Sequence, residues 1–305
     1  RTILLATALA ASTTLLQACG GGDDEPQRNI VEVAQNTPEL SILVEAVVAA
    51  GLAPALSTGS LTVFAPTNAA FAALLTELGV TKEALLADKP LLNAVLKYHV
   101  LGSRVARADV PLGKAITPLS GGFFKIENAG GLKVTDGRNR VTKITDTDIQ
   151  ASNGVIHLVD HVLLPANKDI VATAAALPDF SILVEAVVAA GLVSTLQSPG
   201  PFTVFAPTNA AFASLLMELG VTKEALLADK TLLTTVLTYH VVPARVLKAE
   251  VPLDTPITSV QGQTFTVNGS LVITDQRMRQ SKIVIADVFT SNGVIHAVDK
   301  VILPK

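Results

Sequence analysis

Residues 62–72 read Thr-Val-Phe-Ala-Pro-Thr-Asn-Ala-Ala-Phe-Ala, and residues 203–213 spell the same letters again. Thr62-Val63-Phe64-Ala65 reads as a short buried strand. Thr67 is a good helix N-cap, and Phe71, Leu74, Leu75 and Leu78 follow it on one helical face until Gly79 stops the helix. A strand running straight into a helix, written twice, predicts a duplicated unit. Other blocks agree. SILVEAVVAAGL occupies 41–52 and 181–192, ELGVTKEALLADK occupies 77–89 and 218–230, and SNGVIH occupies 152–157 and 291–296. The offset is 140 at Ser41 and Ser181, 141 at Thr62 and Thr203, and 139 at Ser152 and Ser291. A period that long is a whole domain rather than a solenoid repeat. The 305 residues therefore divide into two domains, 28–166 and 167–305, joined by a linker of a few residues at Pro165-Ala166-Asn167-Lys168. So tight a joint predicts a preferred mutual orientation.

Each copy reads as helices followed by strands, an α+β domain. Asn29 and Asp169 cap the first helices. Thr37-Pro38 reads as a second cap, with Leu40, Leu43, Val44, Val47 and Val48 at helical spacing up to Gly51. Thr81 opens another helix, and Leu92, Val95, Leu96 and His99 continue the pattern on a fourth. Strands are expected at 116–117, 123–126, 132–135, 141–144 and 155–163, separated by the turn signals Gly121-Gly122, Gly130-Gly131 and Asp136-Gly137.

Hydrophobic residues make up 49% of the chain, enough for two cores, while aromatic residues are only 4% with no Trp, so those cores are aliphatic. A formal charge of -3 from 23 basic and 26 acidic residues offers no basic patch for nucleic acid. The first residues carry an address. Arg1 precedes an apolar run to Leu15-Leu16, shorter than a comfortable membrane span, and the run ends in Leu16-Gln17-Ala18-Cys19-Gly20. This resembles a bacterial lipobox, with Gln17 in place of the usual small residue. Residues 1–18 are then a cleaved signal peptide, and Cys19, the single cysteine, is the lipidated residue. Residues 19–27 form a Gly-rich polar tether. Gly20 replaces the Asp that retains lipoproteins at an inner membrane, which favours an outer membrane.

Three stretches resemble the fasciclin family: residues 62–71, the pair Tyr98-His99, and 153–160 with Val162-Leu163-Leu164-Pro165. The second copy repeats them at 203–212, Tyr239-His240, 292–299 and 301–304. The resemblance implies a β-sheet wedge with several helices in each domain. It also implies extracellular or cell-surface use in adhesion, and it does not imply a catalytic activity.

Candidate residues carry a plain reading beside a functional one. Asn68 and Asn209 are expected to make a local hydrogen bond that holds the strand-to-helix turn. His99 and His240 are expected to be buried and hydrogen-bonded on a helix face. The family resemblance adds contact with a partner through Tyr98, His99, Tyr239 and His240 as the alternative. Asn167-Lys168-Asp169-Ile170 resembles a short integrin-recognition peptide of animal family members, but Asp169 is also the expected helix cap. His157 and His296, with Asp160 and Asp299, invite a metal reading. Strand alternation puts 157 and 160 on opposite faces, and no further ligands cluster with them. Ser152 near His157 lacks a nucleophile turn. Asp136, Arg138 and Arg140, matched by Asp275, Arg277 and Arg279, read as a solvated charged turn or a binding edge.

The expected function is a lipid-anchored adhesion or binding protein of the bacterial envelope, with no cofactor and no metal. It would recognise a protein or polysaccharide ligand, with avidity from two domains. A periplasmic scaffold without external partner is the second reading, and a small-molecule carrier or enzyme the third. The divergent segments 121–144 and 262–285 are expected to carry ligand differences between the domains.

Overall fold

The structure, a computed structural model, describes residues 28–305. The apolar leader, Cys19 and the tether lie outside the described residues.

In the first copy, α1 (Ile30–Gln35) is opened by a capping box. The Asn29 side chain accepts from the N–H groups of Val31 and Glu32, and the Glu32 carboxylate accepts from the Asn29 N–H at 2.8 Å. The expected cap at Thr37 is not made. Its hydroxyl donates back to the Val33 carbonyl at 2.9 Å, Pro38–Leu40 forms a 3-10 turn, and α2 starts only at Ser41 (Ser41–Ala49). Then come α3 (Ala53–Leu56), β1 (Leu61–Pro66), α4 (Asn68–Leu78), α5 (Lys82–Ala87) and α6 (Lys89–Tyr98). Thr67 caps α4, and Gly79 closes it with φ 65°, a left-handed conformation natural for glycine. Strands β2 (Val100–Leu101), β3 (Ala115–Ile116), β4 (Phe124–Asn128), β5 (Leu132–Thr135), β6 (Val141–Ala151) and β7 (Gly154–Val159) complete the unit.

The second copy repeats the series: α7 (Ile170–Ala175), α8 (Ser181–Ala189), α9 (Val193–Leu196), β8 (Phe202–Pro207), α10 (Asn209–Leu219), α11 (Lys223–Ala228) and α12 (Lys230–Tyr239). Its strands are β9 (Val241–Val242), β10 (Ile257–Thr258), β11 (Thr264–Val267), β12 (Val272–Thr274), β13 (Gln280–Thr290) and β14 (Gly293–Val298).

Each copy is one seven-stranded sheet, ordered β2-β1-β7-β6-β5-β4-β3 in the first and with the same neighbours in the second. The strand from the helical half, β1, pairs in parallel with the last strand, β7, from Leu61 opposite Gly154 to Pro66 opposite Val159. Both are buried along their whole length, as parallel strands covered on both faces are. On one side Val63, Ala65, Ile156 and Leu158 pack against helix residues Leu43, Phe71 and Val95. On the other, Phe64 and Val159 pack against Phe124, Ile126, Val134 and Leu163. The same division recurs in the second copy.

Glycine is obligatory where β7 begins. A Cβ on Gly154 would lie 2.0 Å from the Leu61 carbonyl oxygen, and one on Gly293 would lie 2.1 Å from that of Phe202. The preceding Asn153 anchors the same corner, accepting from the Ile30 N–H at 2.8 Å and donating to the Leu56 carbonyl at 2.9 Å.

Two strand expectations change. The strand foreseen at 141–144 runs on to Ala151, past register shifts between Ile144 and Asp146 and between Asp146 and Ile149. Those bulges break the alternation that a sequence reader follows. The strand foreseen over 155–163 ends at Val159. Val162, Leu163 and Leu164 are buried, but their backbone is held by side chains: His99 accepts from the Leu163 N–H, and Asp136 accepts from the Leu164 N–H. The two-residue deletion falls in the β11–β12 hairpin, because Ile126 matches Val267 at offset 141 while Val134 matches Ile273 at offset 139.

The domains touch through the outer face of β3–β4 and the face presented by β13. Phe123, Ala115, Leu247, Phe289 and Val294 form one small apolar cluster drawn from both copies. Lys125 reaches Asp287 at 2.8 Å, with side-chain exposures of 10% and 3%. The Asn139 amide donates to the Phe289 carbonyl at 3.1 Å and accepts from the Phe289 N–H at 2.6 Å. It therefore acts as a one-residue strand partner.

Candidate functional site

Four of the five histidines are buried structural nodes. His99 sits one residue beyond α6, at its C-cap rather than on its face. Its Nε2 accepts from the Leu163 N–H at 2.8 Å, so the proton is on Nδ1, which donates to the Val95 carbonyl at 2.8 Å. His240 makes the same links to Ile302 and Val236. Burial holds both rings near pKa 4, well below the usual imidazole value, so they are neutral. His157 accepts from the Asp148 N–H through Nδ1 at 3.2 Å and donates from Nε2 to the Val105 carbonyl at 2.9 Å. His296 does the same with Asp287 and Val246, and burial lowers its pKa. Both nitrogens of each ring are used, so none is free to ligate a metal or take a proton. Among the described residues, no group of three His, Cys, Asp or Glu is placed to hold a metal.

The remaining sequence candidates also turn inward. Tyr98 is completely buried, donating to the Phe123 carbonyl, and burial raises its pKa. Tyr239 is equally buried, donates to the Thr264 carbonyl at 2.8 Å, and is pushed up to about 12 by burial. The Tyr-His pairs therefore lie away from any surface that a partner could touch, because their hydroxyl and ring groups are spent tying α6 and α12 to the strands. Ile170 is buried in its domain core, and Asp169 accepts from the Ala172 N–H as the cap of α7. Asp160 and Asp299 lie just beyond the strand ends and hold the N–H groups of Lys143 and Lys282.

Asn68 reaches further than a local turn. It accepts from the Ile42 N–H at 3.0 Å and donates to the Pro38 carbonyl and Ser41 hydroxyl, joining α4 to the start of α2. Asn209 repeats the pattern at Ile182, Pro178 and Ser181. The turn at 136–140 is not solvated at its centre. Asp136 has no exposure and accepts from the N–H groups of Arg138, Arg140 and Leu164 and from the Arg140 guanidinium at 2.8 Å. Asp275 organises the matching turn with Arg277, Arg279 and Leu303.

Two kinds of cavity occur. Apolar voids of about 60 and 30 Å³ lie between helices and sheet in the second and first domains, beside His240 and His99. They are well below the ~150 Å³ that accommodates a benzene ring. A far larger cleft, about 680 Å³, lies at the junction of the domains, lined by the 135–139 turn, the linker and β13. Sequence reading did not find the junction residues Phe123, Lys125, Asp287 and Phe289. The signal was present: Phe123 and Lys125 stand opposite Thr264 and Thr266 of the other copy, at the offset of 141 that aligns Phe124 with Phe265.

Comparison with known proteins follows the same two-part division. The family model for the fasciclin domain matches residues 38–165 and again 178–304. Transforming growth factor-beta-induced protein ig-h3 of Oryctolagus cuniculus is 31% identical over 258 residues, covering 81% of this chain and 35% of that protein. Protein sll1483 of Synechocystis sp. is 46% identical over 138 residues, covering 44% of this chain and 73% of its own length. A solved FAS1 domain pair from the insect cell adhesion molecule fasciclin I is similar with a TM-score of 0.44 at 17% identity, covering 87% of this chain and 97% of that one. The chain spans about a third of the length of the ig-h3 relative.

Proposed function

The chain belongs to the fasciclin-domain family, and from that premise we propose that it is an adhesion or binding protein of the cell envelope, tethered by a lipid on Cys19. Fasciclin-domain proteins are adhesion-related extracellular proteins. No helix of the described residues is long and apolar enough to cross a membrane. In this reading the anchor is the lipid on Cys19.

The observation that carries the proposal is how the polar groups are spent. The four buried histidines, both tyrosines, and Asn68 and Asn209 are consumed by hydrogen bonds inside their own domains. What each domain offers a partner is its outer surface, and the buried Lys125–Asp287 pair holds two such surfaces in a fixed relation. Linked surfaces of fixed geometry gain avidity when both engage. The ligand classes remain protein or polysaccharide.

The test is accessibility on intact host cells. Protease and antibody should reach the native chain, which should sediment with membranes, while Cys19→Ser should be released. A native chain shielded from both probes would sink adhesion to other cells and leave the periplasmic scaffold.

A further inference from the structure

The junction cleft is lined by more basic than acidic side chains. Its lining includes Lys125, Arg138 and Lys168 against a single carboxylate, Asp287. That carboxylate is already committed, at 2.8 Å to Lys125 and at 2.7 Å to the N–H of Lys248. Arg138 and Lys168 have no carboxylate within ion-pair distance among the described residues. The cleft therefore carries an uncompensated positive charge inside a chain whose net charge is negative.

Arg138 adds a second observation. In the other domain its counterpart, Arg277, donates from Nε to the Pro304 carbonyl at 2.8 Å. Arg138 Nε is buried and has no hydrogen-bond partner. The Arg138 guanidinium is thus left without an intramolecular acceptor, where that of Arg277 has one. A guanidinium matches a carboxylate best, because its planar fork meets both oxygens.

The rest of the lining sets the shape of the ligand. Leu177 and Ile285 are exposed apolar side chains at the cleft, and Asn167, Thr135 and Thr173 supply amide and hydroxyl groups beside them. Aliphatic patches alternating with hydrogen-bonding groups suit sugar rings, which present C–H faces and hydroxyl edges. A volume of about 680 Å³ falls in the ordinary range for a specific ligand cleft, ~300–1,000 Å³. An extended peptide fits less well, because the Asn139 amide already occupies the Phe289 N–H and C=O on the strand edge beside the cleft.

We infer that the cleft between the two domains binds an acidic polysaccharide, with Arg138 and Lys168 holding the carboxylate of a uronic acid unit. The inference rests on the binding-protein reading and names the ligand class and the place.

The test is calorimetric titration of the full chain with a short oligogalacturonate. Parallel arms use a neutral oligosaccharide of equal length, inorganic phosphate and a Glu-rich peptide. Saturable binding is expected for the oligogalacturonate alone, weakening as salt rises. Arg138→Gln and Lys168→Gln should each weaken it about tenfold, as expected for losing a charge-assisted hydrogen bond. Lys230→Gln, an exposed and remote lysine, should leave it unchanged. Melting temperatures near that of the parent show that the variants fold. Lys168 lies in the exposed linker, so its variant stands as an independent test.

No saturable binding of the oligogalacturonate overturns the inference, as does equal binding by both variants. Phosphate binding as tightly as the sugar reduces the site to a simple anion site, and preference for the peptide assigns it to a protein partner. Either result removes the polysaccharide. An exposed, membrane-bound chain that ignores oligogalacturonate sinks the cleft and spares adhesion. A shielded chain that binds it does the reverse.

Discussion

The two domains share a fold and differ in how they treat the same surface positions. In β4 of the first domain Phe124, Lys125 and Ile126 are all buried, whereas β11 of the second alternates between partly exposed and buried. Both inward faces look alike, with Phe124 and Ile126 matching Phe265 and Val267. The outer faces part company: Phe123, Lys125 and Asn139 stand where the second domain has Thr264, Thr266 and Met278, the last 80% exposed. The complementary face reverses the pattern. Leu247, Asp287 and Phe289 are buried in the junction, while the first domain has Ala106, Asp148 and Gln150 at those places, with Gln150 exposed. A duplicated domain has two copies of each face, and only one of each is used for docking. The used copies carry aromatic and charged residues, and the unused copies carry residues that water tolerates. Part of the divergence between 121–144 and 262–285 therefore records domain docking rather than ligand preference.

The sharpest way to break this asymmetry is to give the second domain the residue of the first. Phe289→Gln should cost about 4 kcal/mol, the usual range for losing a buried Phe. Small-angle scattering should then report two domains moving apart. The reverse change, Gln150→Phe, should alter denaturant stability by no more than about 0.5 kcal/mol, as expected of an exposed position. Equal effects would mean that the junction is not a specific interface.

Acid tests what the copies have in common. His99 and His240 have pKa values depressed by burial to about 4 from 6.5. A depressed histidine contributes its full stability above its unfolded value, and the contribution is withdrawn as pH falls from 6.5 through 4. Each domain should lose about 3 kcal/mol over that window, from about 2.5 pKa units at 1.36 kcal/mol each. Both unfolding transitions should shift together in calorimetry. A shift in only one would show that the nodes are not equivalent.

A smaller effect is expected at the ion pair. Lys125→Thr, the residue of the other copy, should cost about 2 kcal/mol. That lies below the ~3–5 typical of breaking a buried pair, because Asp287 keeps the Lys248 N–H. Adding Asp287→Asn should recover part of the loss, and a double-mutant cycle by urea unfolding measures it. The Lys125 pKa is raised: burial lowers it, but hydrogen bonds to Asp287 and Glu127 outweigh that. The lysine is therefore charged at neutral pH, and its contribution to the pair is lost as pH rises through the elevated lysine value.

Much of the fold was legible because its signals are local. Asn29, Thr67, Thr81 and Asp169 are caps that act within three residues, and they open helices where the sequence places them. Failures arise where a distant group satisfies the backbone. Leu163 reads as strand, yet its N–H goes to His99. Thr37 fails for a local reason: it reads as a cap, yet its hydroxyl turns back to the Val33 carbonyl one turn earlier. Asp136 reads as a solvated turn residue, yet it is the buried centre of five hydrogen bonds from Arg138, Arg140 and Leu164.

The candidate site was the least legible part, for a related reason. The duplication, the domain class and the order of helices and strands follow from periodicity and repeated motifs, which depend on neighbours along the chain. The junction depends on residues more than a hundred positions apart, such as Lys125 with Asp287 and Asn139 with Phe289. Nothing local distinguishes Lys125 from a solvent-facing strand lysine, or Arg138 from its partnered counterpart Arg277. Only the docking of one domain on the other buries the first, and only the folded turn shows that the second has no acceptor, because burial and hydrogen-bond satisfaction are properties of the assembled surface.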